Sequence, residues 1–247
     1  MKTLLVTNRK GGVGKSTTTL ALAAHFAGMK RRVLLVDLDT QGHLQYGMGI
    51  RHEFRHGIHS ALMRPEADLD LLIQKTPLRG VDLIPATINF DSSELHETTR
   101  LKRLLEPLEG AYDLCVVDTA PMSDKVLQMA MLASDFVLVP MKAEHLGLVG
   151  TLQFIRLFYK TASRLETDFA FLGVVPTLYN RSMKEHAATV AKLEEVIGRG
   201  KVYPPVRRDA KLTKIFQSGI HRLLKEHSRG LEDYREVARR VLERMEG

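Results

Sequence analysis

The 247-residue sequence predicts an α/β fold, with one domain over residues 1–247 built on a mostly parallel twisted sheet covered by helices on both faces. Three observations carry this. Apolar Val/Leu/Ile-rich runs alternate with amphipathic stretches almost throughout, the pattern of strands joined by crossover helices. Most of these runs are continuously apolar, as strands buried on both faces are. The first of them, Leu4-Leu5-Val6, runs straight into Lys10-Gly11-Gly12-Val13-Gly14-Lys15-Ser16-Thr17, a glycine-rich turn that opens an apolar helix.

Strands are expected at Lys2–Thr7, Arg32–Asp37, Val81–Pro85, Leu114–Asp118, Phe136–Pro140, Phe169–Pro176 and Lys201–Tyr203. The helix after the first turn, 16–28, is marked by Leu20, Ala21, Leu22, Ala24 and Phe26. Further helices are expected over 94–107, 122–133, 147–164, 184–197, 210–218 and 231–245, with Pro121 starting the third of the seven. Between 42 and 80 the pattern gives only short helical pieces and a histidine-rich turn. The final helix places Leu231, Tyr234, Val237, Ala238, Val241, Leu242 and Met245 on one face.

Composition narrows the function classes. A hydrophobic content of 44% over this length suits one large core. No apolar run reaches the ~18 residues a membrane span needs, and Met1-Lys2 leads into a strand rather than a secretory signal, so a cytoplasmic protein is expected. The lone Cys115 lies in an apolar run, which excludes disulfides and multi-cysteine metal sites. Between Arg199 and Arg229 stand nine basic residues against two acids, Asp209 and Glu226, which accounts for the whole net charge of +7. Such a concentration suits a polyanion or an anionic surface. Histidines 43, 52, 56 and 59 have irregular spacing and no helping acids, and read as solvated.

The glycine-rich turn carries the chemistry. Residues without Cβ let successive N–H groups converge on an anion, and the helix N-terminus adds its partial positive charge. Gly11, Gly12, Val13, Gly14, Lys15, Ser16 and Thr17 would cradle phosphates, with Lys15 reaching the β- and γ-phosphates and the Ser16 hydroxyl ligating Mg²⁺. This is the strand–turn–helix of a P-loop NTPase, with a departure. Arg9 stands where the ordinary motif has its first glycine, and Lys10 adds a second lysine at the front of the loop. Two more pieces follow at strand ends: Asp37-Leu38-Asp39-Thr40-Gln41-Gly42, whose alternation puts Asp37 and Asp39 on one side, and Leu114–Asp118, matching a Walker B strand whose carboxylate holds Mg²⁺ through its waters.

In these motifs the chain resembles the ParA/MinD family of ATPases with a deviant Walker A loop, and the resemblance extends over nearly its whole length. It implies that Lys10 reaches across a homodimer to the partner's nucleotide. It also implies that Asp39 polarises the attacking water, with Asp37 near the Mg²⁺ water shell. Gly173–Asn180 resembles the family's adenine-side segment, where Asn180 could read the base edge. Pro205–Asp209 and Ser228–Tyr234 match its C-terminal pattern, which brings Pro205 to the nucleotide and basic residues to DNA. Thr40 stands where the family usually has proline, and His43-Leu44-Gln45 lacks its common Asn-Ala-Thr-like ending. The loop lies next to Met1 with no helix-turn-helix between them, so the short family form is expected.

The resemblance implies a Mg²⁺-dependent ATPase that forms an ATP-sandwich dimer and binds double-stranded DNA without sequence preference. Arg199, Lys201, Arg207, Arg208, Lys211, Lys214 and Arg229 are the expected DNA contacts. A ParB-like or other adaptor would stimulate hydrolysis to move a plasmid, chromosome or protein organelle over the nucleoid. A MinD-like membrane cycle is the alternative, but the final helix balances its arginines with acids and carries no bulky aromatic insertion face. A dethiobiotin synthetase-like enzyme is a further rival, and a nitrogenase reductase-like one would need cluster cysteines.

Overall fold

β1 (Lys2–Val6), β2 (Val33–Asp37) and β5 (Leu114–Asp118) bury almost every side chain, which is what places them side by side in the middle of a sheet. With β3 (Gln74–Lys75), β4 (Val81–Ile84), β6 (Phe136–Lys142) and β7 (Ala170–Thr177) they form seven strands in the order β3-β4-β2-β5-β1-β6-β7. All pairings are parallel except the two-residue β3 edge on β4. This computed structural model describes residues 1–52, 54–64, 67–87, 90, 97–120, 124–167 and 169–247, without the Asp124 side chain.

Strand alternation sorts the core into two layers. Leu4, Val6, Val33 and Leu35 face α1 (Lys15–Gly28) and α10 (Arg229–Glu246), together with α2 (His43–Met48), α8 (Ile215–Ser218) and α9 (Ile220–Leu223). Leu5, Leu34, Val36, Cys115 and Val117 face the other layer. That layer holds α3 (Ile58–Leu62), α4 (Arg100–Leu105), α5 (Asp124–Leu132), α6 (His145–Leu165) and α7 (Lys184–Ile197). The apolar face of α10 is buried, with Tyr234 among the largest enclosed side chains and its hydroxyl 2.8 Å from Thr18 on α1.

Several elements differ from expectation. Lys201–Tyr203 is not a strand. Residues 199–201 form a 3₁₀ turn, and Val202 makes only an isolated bridge to Val174, because Gly198 and Gly200 break the run. The seventh strand is instead Gln74–Lys75, whose polar residues carry no strand signature. The expected 94–107 helix is regular from Arg100 and turns 3₁₀ over Glu106–Leu108, where Pro107 cannot continue it. Its start at 94–96, and Pro121, lie outside the described residues. The expected 210–218 helix is a 3₁₀ turn (Leu212–Lys214) followed by α8, and Gly219 then breaks the chain before α9. Gly219 has φ 81°, and a Cβ there would sit 2.9 Å from the Gly49 Cα, so both backbone angle and close approach require glycine.

Candidate active site

The register aligns the chemistry. Val6 lies opposite Asp118, and Asp118 opposite Asp37, across three neighbouring parallel strands. Their C-terminal ends therefore deliver the glycine-rich loop, the Asp118 carboxylate and the Asp37–Gly42 turn to one edge of the sheet, where such sheets bind ligands.

Short-range bonds shape the loop. The Asn8 side chain, 1% exposed, donates to the Pro140 carbonyl at 2.9 Å and to Thr151 at 3.1 Å, and accepts from the Lys10 N–H. At the far side the Thr177 hydroxyl donates to the Val13 carbonyl at 2.8 Å. Gly12 and Gly14 both have positive, left-handed φ, a conformation open to glycine, and Gly14 caps α1. Lys15 is 7% exposed and donates to the Lys10 carbonyl at 3.1 Å. Burial lowers its pKa, and Asp118 and Asp39 act against that shift. Lys10 folds outward: its ammonium donates to the Leu146 carbonyl at the start of α6, and its stem lies over Gly150, where a Cβ would collide with the lysine Cε.

The three carboxylates have distinct surroundings. Asp118 is fully buried, and its Oδ1 accepts from the Thr19 hydroxyl at 3.1 Å. Its Oδ2 is buried with no hydrogen-bond partner among the described residues. Burial foremost holds its pKa above the carboxylate range, against the nearby Ser16 hydroxyl and the Lys15 charge. An anionic oxygen enclosed without a donor is where a hydrated cation fits, so these residues suit Mg²⁺ beside the phosphate cradle. Asp37, also fully buried, uses both oxygens on backbone, accepting from the Asp39 N–H at 3.0 Å and the Leu44 N–H at 3.1 Å. Burial and the Asp118 charge push its pKa well up. Its geometry holds the turn that carries Asp39. Asp39 Oδ1 accepts from the Gln41 N–H at 3.0 Å, and Oδ2 is 3.7 Å from His43 Nδ1. Burial would raise its pKa, but His43 and the Gln41 N–H, with the Lys15 charge, hold it below the ordinary value.

The segments expected at the base meet as well. Tyr179 N–H donates to the Val206 carbonyl at 3.0 Å and Arg208 N–H to the Tyr179 carbonyl at 2.9 Å, which places Asn180 and Pro205 on adjoining stretches. Asn180 donates its backbone N–H to His186 Nδ1 and accepts from Ser182 N–H on its side-chain oxygen.

The basic cluster does not hold together as the sequence suggests. Lys201 donates to the Phe171 carbonyl at 2.6 Å, near the start of β7 and almost the whole strand away from Thr177 at the phosphate loop. Arg199 is beside it, 3.4 Å from Glu194. Arg207 is locked bidentate on Asp233, with both contacts at 2.7 Å. Lys211 donates to the His227 carbonyl at 2.7 Å. Arg208, Lys214 and Arg229 remain exposed, with no acidic partner for their side chains among the described residues, joined by Arg222 and Lys225 around α8 and α9. Of the histidines expected to be solvated, His59 is 1% exposed, accepts from the Thr87 N–H and stacks on Phe90. His43 is half-exposed, and His52 and His56 are exposed. Sequence reasoning also missed Asn8, Thr19 and Thr177; an Asn two residues ahead of the loop was the one local signal.

A family model described as an AAA domain matches residues 1–171. The sporulation initiation inhibitor protein Soj of Bacillus subtilis (strain 168) is 32% identical over 249 residues, covering 97% of this chain and 98% of Soj. The chromosome partitioning protein ParA of Caulobacter vibrioides (strain NA1000 / CB15N) is 32% identical over 257 residues, covering 99% and 95%. Among solved structures, cobyrinic acid a,c-diamide synthase from Mycobacterium smegmatis, with bound ADP and magnesium, superposes with a TM-score of 0.82. It is 27% identical, covering 100% of this chain and 96% of that one. With a P-loop, two following aspartate motifs and relatives matched over nearly the full length, the chain belongs to the ParA/Soj/MinD family of P-loop ATPases.

Proposed function

We propose that this chain is a Mg²⁺-dependent ATPase switch that dimerises around two ATP molecules, binds duplex DNA without sequence preference, and positions or segregates a cargo. The carrying observation is the shared level of the phosphate loop, Asp118 and Asp39 at three adjacent strand ends, with Lys10 directed out of the loop toward α6. Lys15 and the loop N–H groups would bind the phosphates. Ser16 and Asp118 would hold Mg²⁺, with Asp37 acting on that shell through the turn it fixes. Bound Mg²⁺ would neutralise charge on the β- and γ-phosphate oxygens. Asp39, held anionic, would orient the attacking water; Asn180 and Pro205 would border the base. Lys10, already outside its own phosphate cradle, would serve the partner's nucleotide.

The DNA surface is the α8–α9 edge with Arg208 and Arg229, in place of the longer sequence window. Arginines and lysines on phosphates carry no base code, so binding would ignore sequence. An adaptor protein, ParB-like or of another kind, would stimulate hydrolysis on the nucleoid in the cytoplasm. A MinD-like membrane cycle needs an apolar helix face free for a bilayer, and α10 has its face packed on α1. Among the described residues no helix is long and apolar enough to cross a membrane. Size-exclusion chromatography with light scattering tests the switch: mass should double with Mg-ATP and not with Mg-ADP. An unchanged mass with ATP for both wild type and Asp39→Ala would remove the sandwich dimer.

A further inference from the structure

His43, the first residue of α2, is half-exposed and stands against the Asp39 carboxylate. Its Nδ1 lies 3.7 Å from Asp39 Oδ2, while the other Asp39 oxygen is held by the Gln41 N–H at 3.0 Å. The two residues stand four apart across the turn that the Gly42 N–H closes on the Asp39 carbonyl at 2.8 Å. On its far side the imidazole meets the Phe216 ring of α8, with centroids 5.8 Å apart and planes tilted by 54°. Arg51 clamps the same contact, donating to the Tyr46 carbonyl of α2 and to the Phe216 and Gln217 carbonyls of α8. The half-exposed ring therefore has the carboxylate on one side and α8 on the other.

We propose that His43 is a positioning residue for ATP hydrolysis: braced by Phe216, it fixes the direction of the Asp39 carboxylate toward the attacking water. The inference rests on the reading of Asp39 as the hydrolytic carboxylate. The ring can present an N–H to Asp39 in both of its protonation states. Protonated, it withdraws charge from the carboxylate and makes it a weaker acceptor for the water. Neutral, it still orients Asp39 and leaves it more basic. The charged groups acting on the ring are Asp39 and, farther off, Asp118. α1 brings Lys15 to the other side of Asp39, α8 presents Phe216 and Gln217, and α9 places His221 against Gly49 at the end of α2. The Asp39 carboxylate raises the His43 pKa above the ordinary 6.5. The protonated, slower form then persists to higher pH than for a free histidine, and turnover climbs as pH passes through that raised value.

The test uses the full chain with Mg-ATP and follows kcat and KM from about pH 6 to 8, where histidine titrates. Asp39→Ala comes first: normal hydrolysis by that variant would overturn the Asp39 reading, and with it this proposal. With Asp39 established, His43→Ala should lower kcat about tenfold, the loss of one charge-assisted interaction with the reacting group, with KM within about twofold. His43→Asn, which keeps a donor without titrating, should recover most of kcat and flatten its pH dependence. Phe216→Ala should reproduce part of the His43→Ala loss. Wild-type kcat with an unchanged pH profile in His43→Ala would overturn the proposal. So would a parallel loss of ATP affinity and thermal midpoint in both His43 variants, which would make the residue merely structural.

Discussion

Asp118 and Asp39 meet at one edge of the sheet in different surroundings. One is enclosed with an unpartnered oxygen, the other is held anionic by groups facing both oxygens. Lys15→Ala should therefore abolish measurable ATP binding by calorimetry with Mg²⁺, since the buried β/γ-phosphate charge loses its main side-chain partner. Undiminished affinity would remove the phosphate-loop assignment. Asp39→Ala should keep ATP affinity and slow single-turnover hydrolysis about a hundredfold or more, the range a positioned acid–base group contributes. These residues were legible because each lies in a short contiguous motif at the end of an apolar run. Asn8 and Thr177 were not, since their work is done on carbonyls 132 and 164 positions away. His59 escaped for a different reason. Spacing alone cannot separate a solvated histidine from a buried one stacked on a phenyl ring.

At the scale of elements, α6 carries more than packing. Its first turn supplies the carbonyl that receives Lys10, and Gly150 leaves the room for that side chain. Exposed Leu146 and Val149 flank the contact. Lys10→Ala should lose the ATP-dependent dimer in light scattering while monomer affinity for ATP falls less than about threefold, because Lys10 lies outside its own cradle. A normal dimer would make the second lysine incidental. The strands and long helices were legible from their apolar runs and periodicity. The 201–203 strand was misread because Val202 and Tyr203 mimic a strand while nearby glycines prevent one. The α8–Gly219–α9 break is set by a backbone contact with Gly49, far earlier in the chain, that no local pattern reports.

For the whole molecule the decisive quantity is where positive charge stays free. A sequence window showed nine basic residues, yet folding sends Arg199 and Lys201 to the far end of β7 and ties Arg207 to Asp233. Arg207→Glu should cost about 2 kcal/mol of stability, read as a lower thermal midpoint, because it sets two carboxylates together in a half-buried pair. Arg208→Glu with Lys214→Glu and Arg222→Glu should leave ATP binding and the thermal midpoint unchanged. In the proposed function, nucleotide state switches this edge onto duplex DNA. In a two-fold dimer each edge appears twice, roughly doubling the phosphate contacts along one duplex. Fluorescence anisotropy on two unrelated duplexes, with Mg-ATP or Mg-ADP across a salt series, tests this most directly. Tight binding should appear only with ATP, with equal affinity for both duplexes. The log–log salt slope should shrink by about 0.9 for each phosphate contact the charge-reversed triple loses. Equal binding in ADP, a strong preference for one duplex, or full affinity in the triple variant would contradict that function.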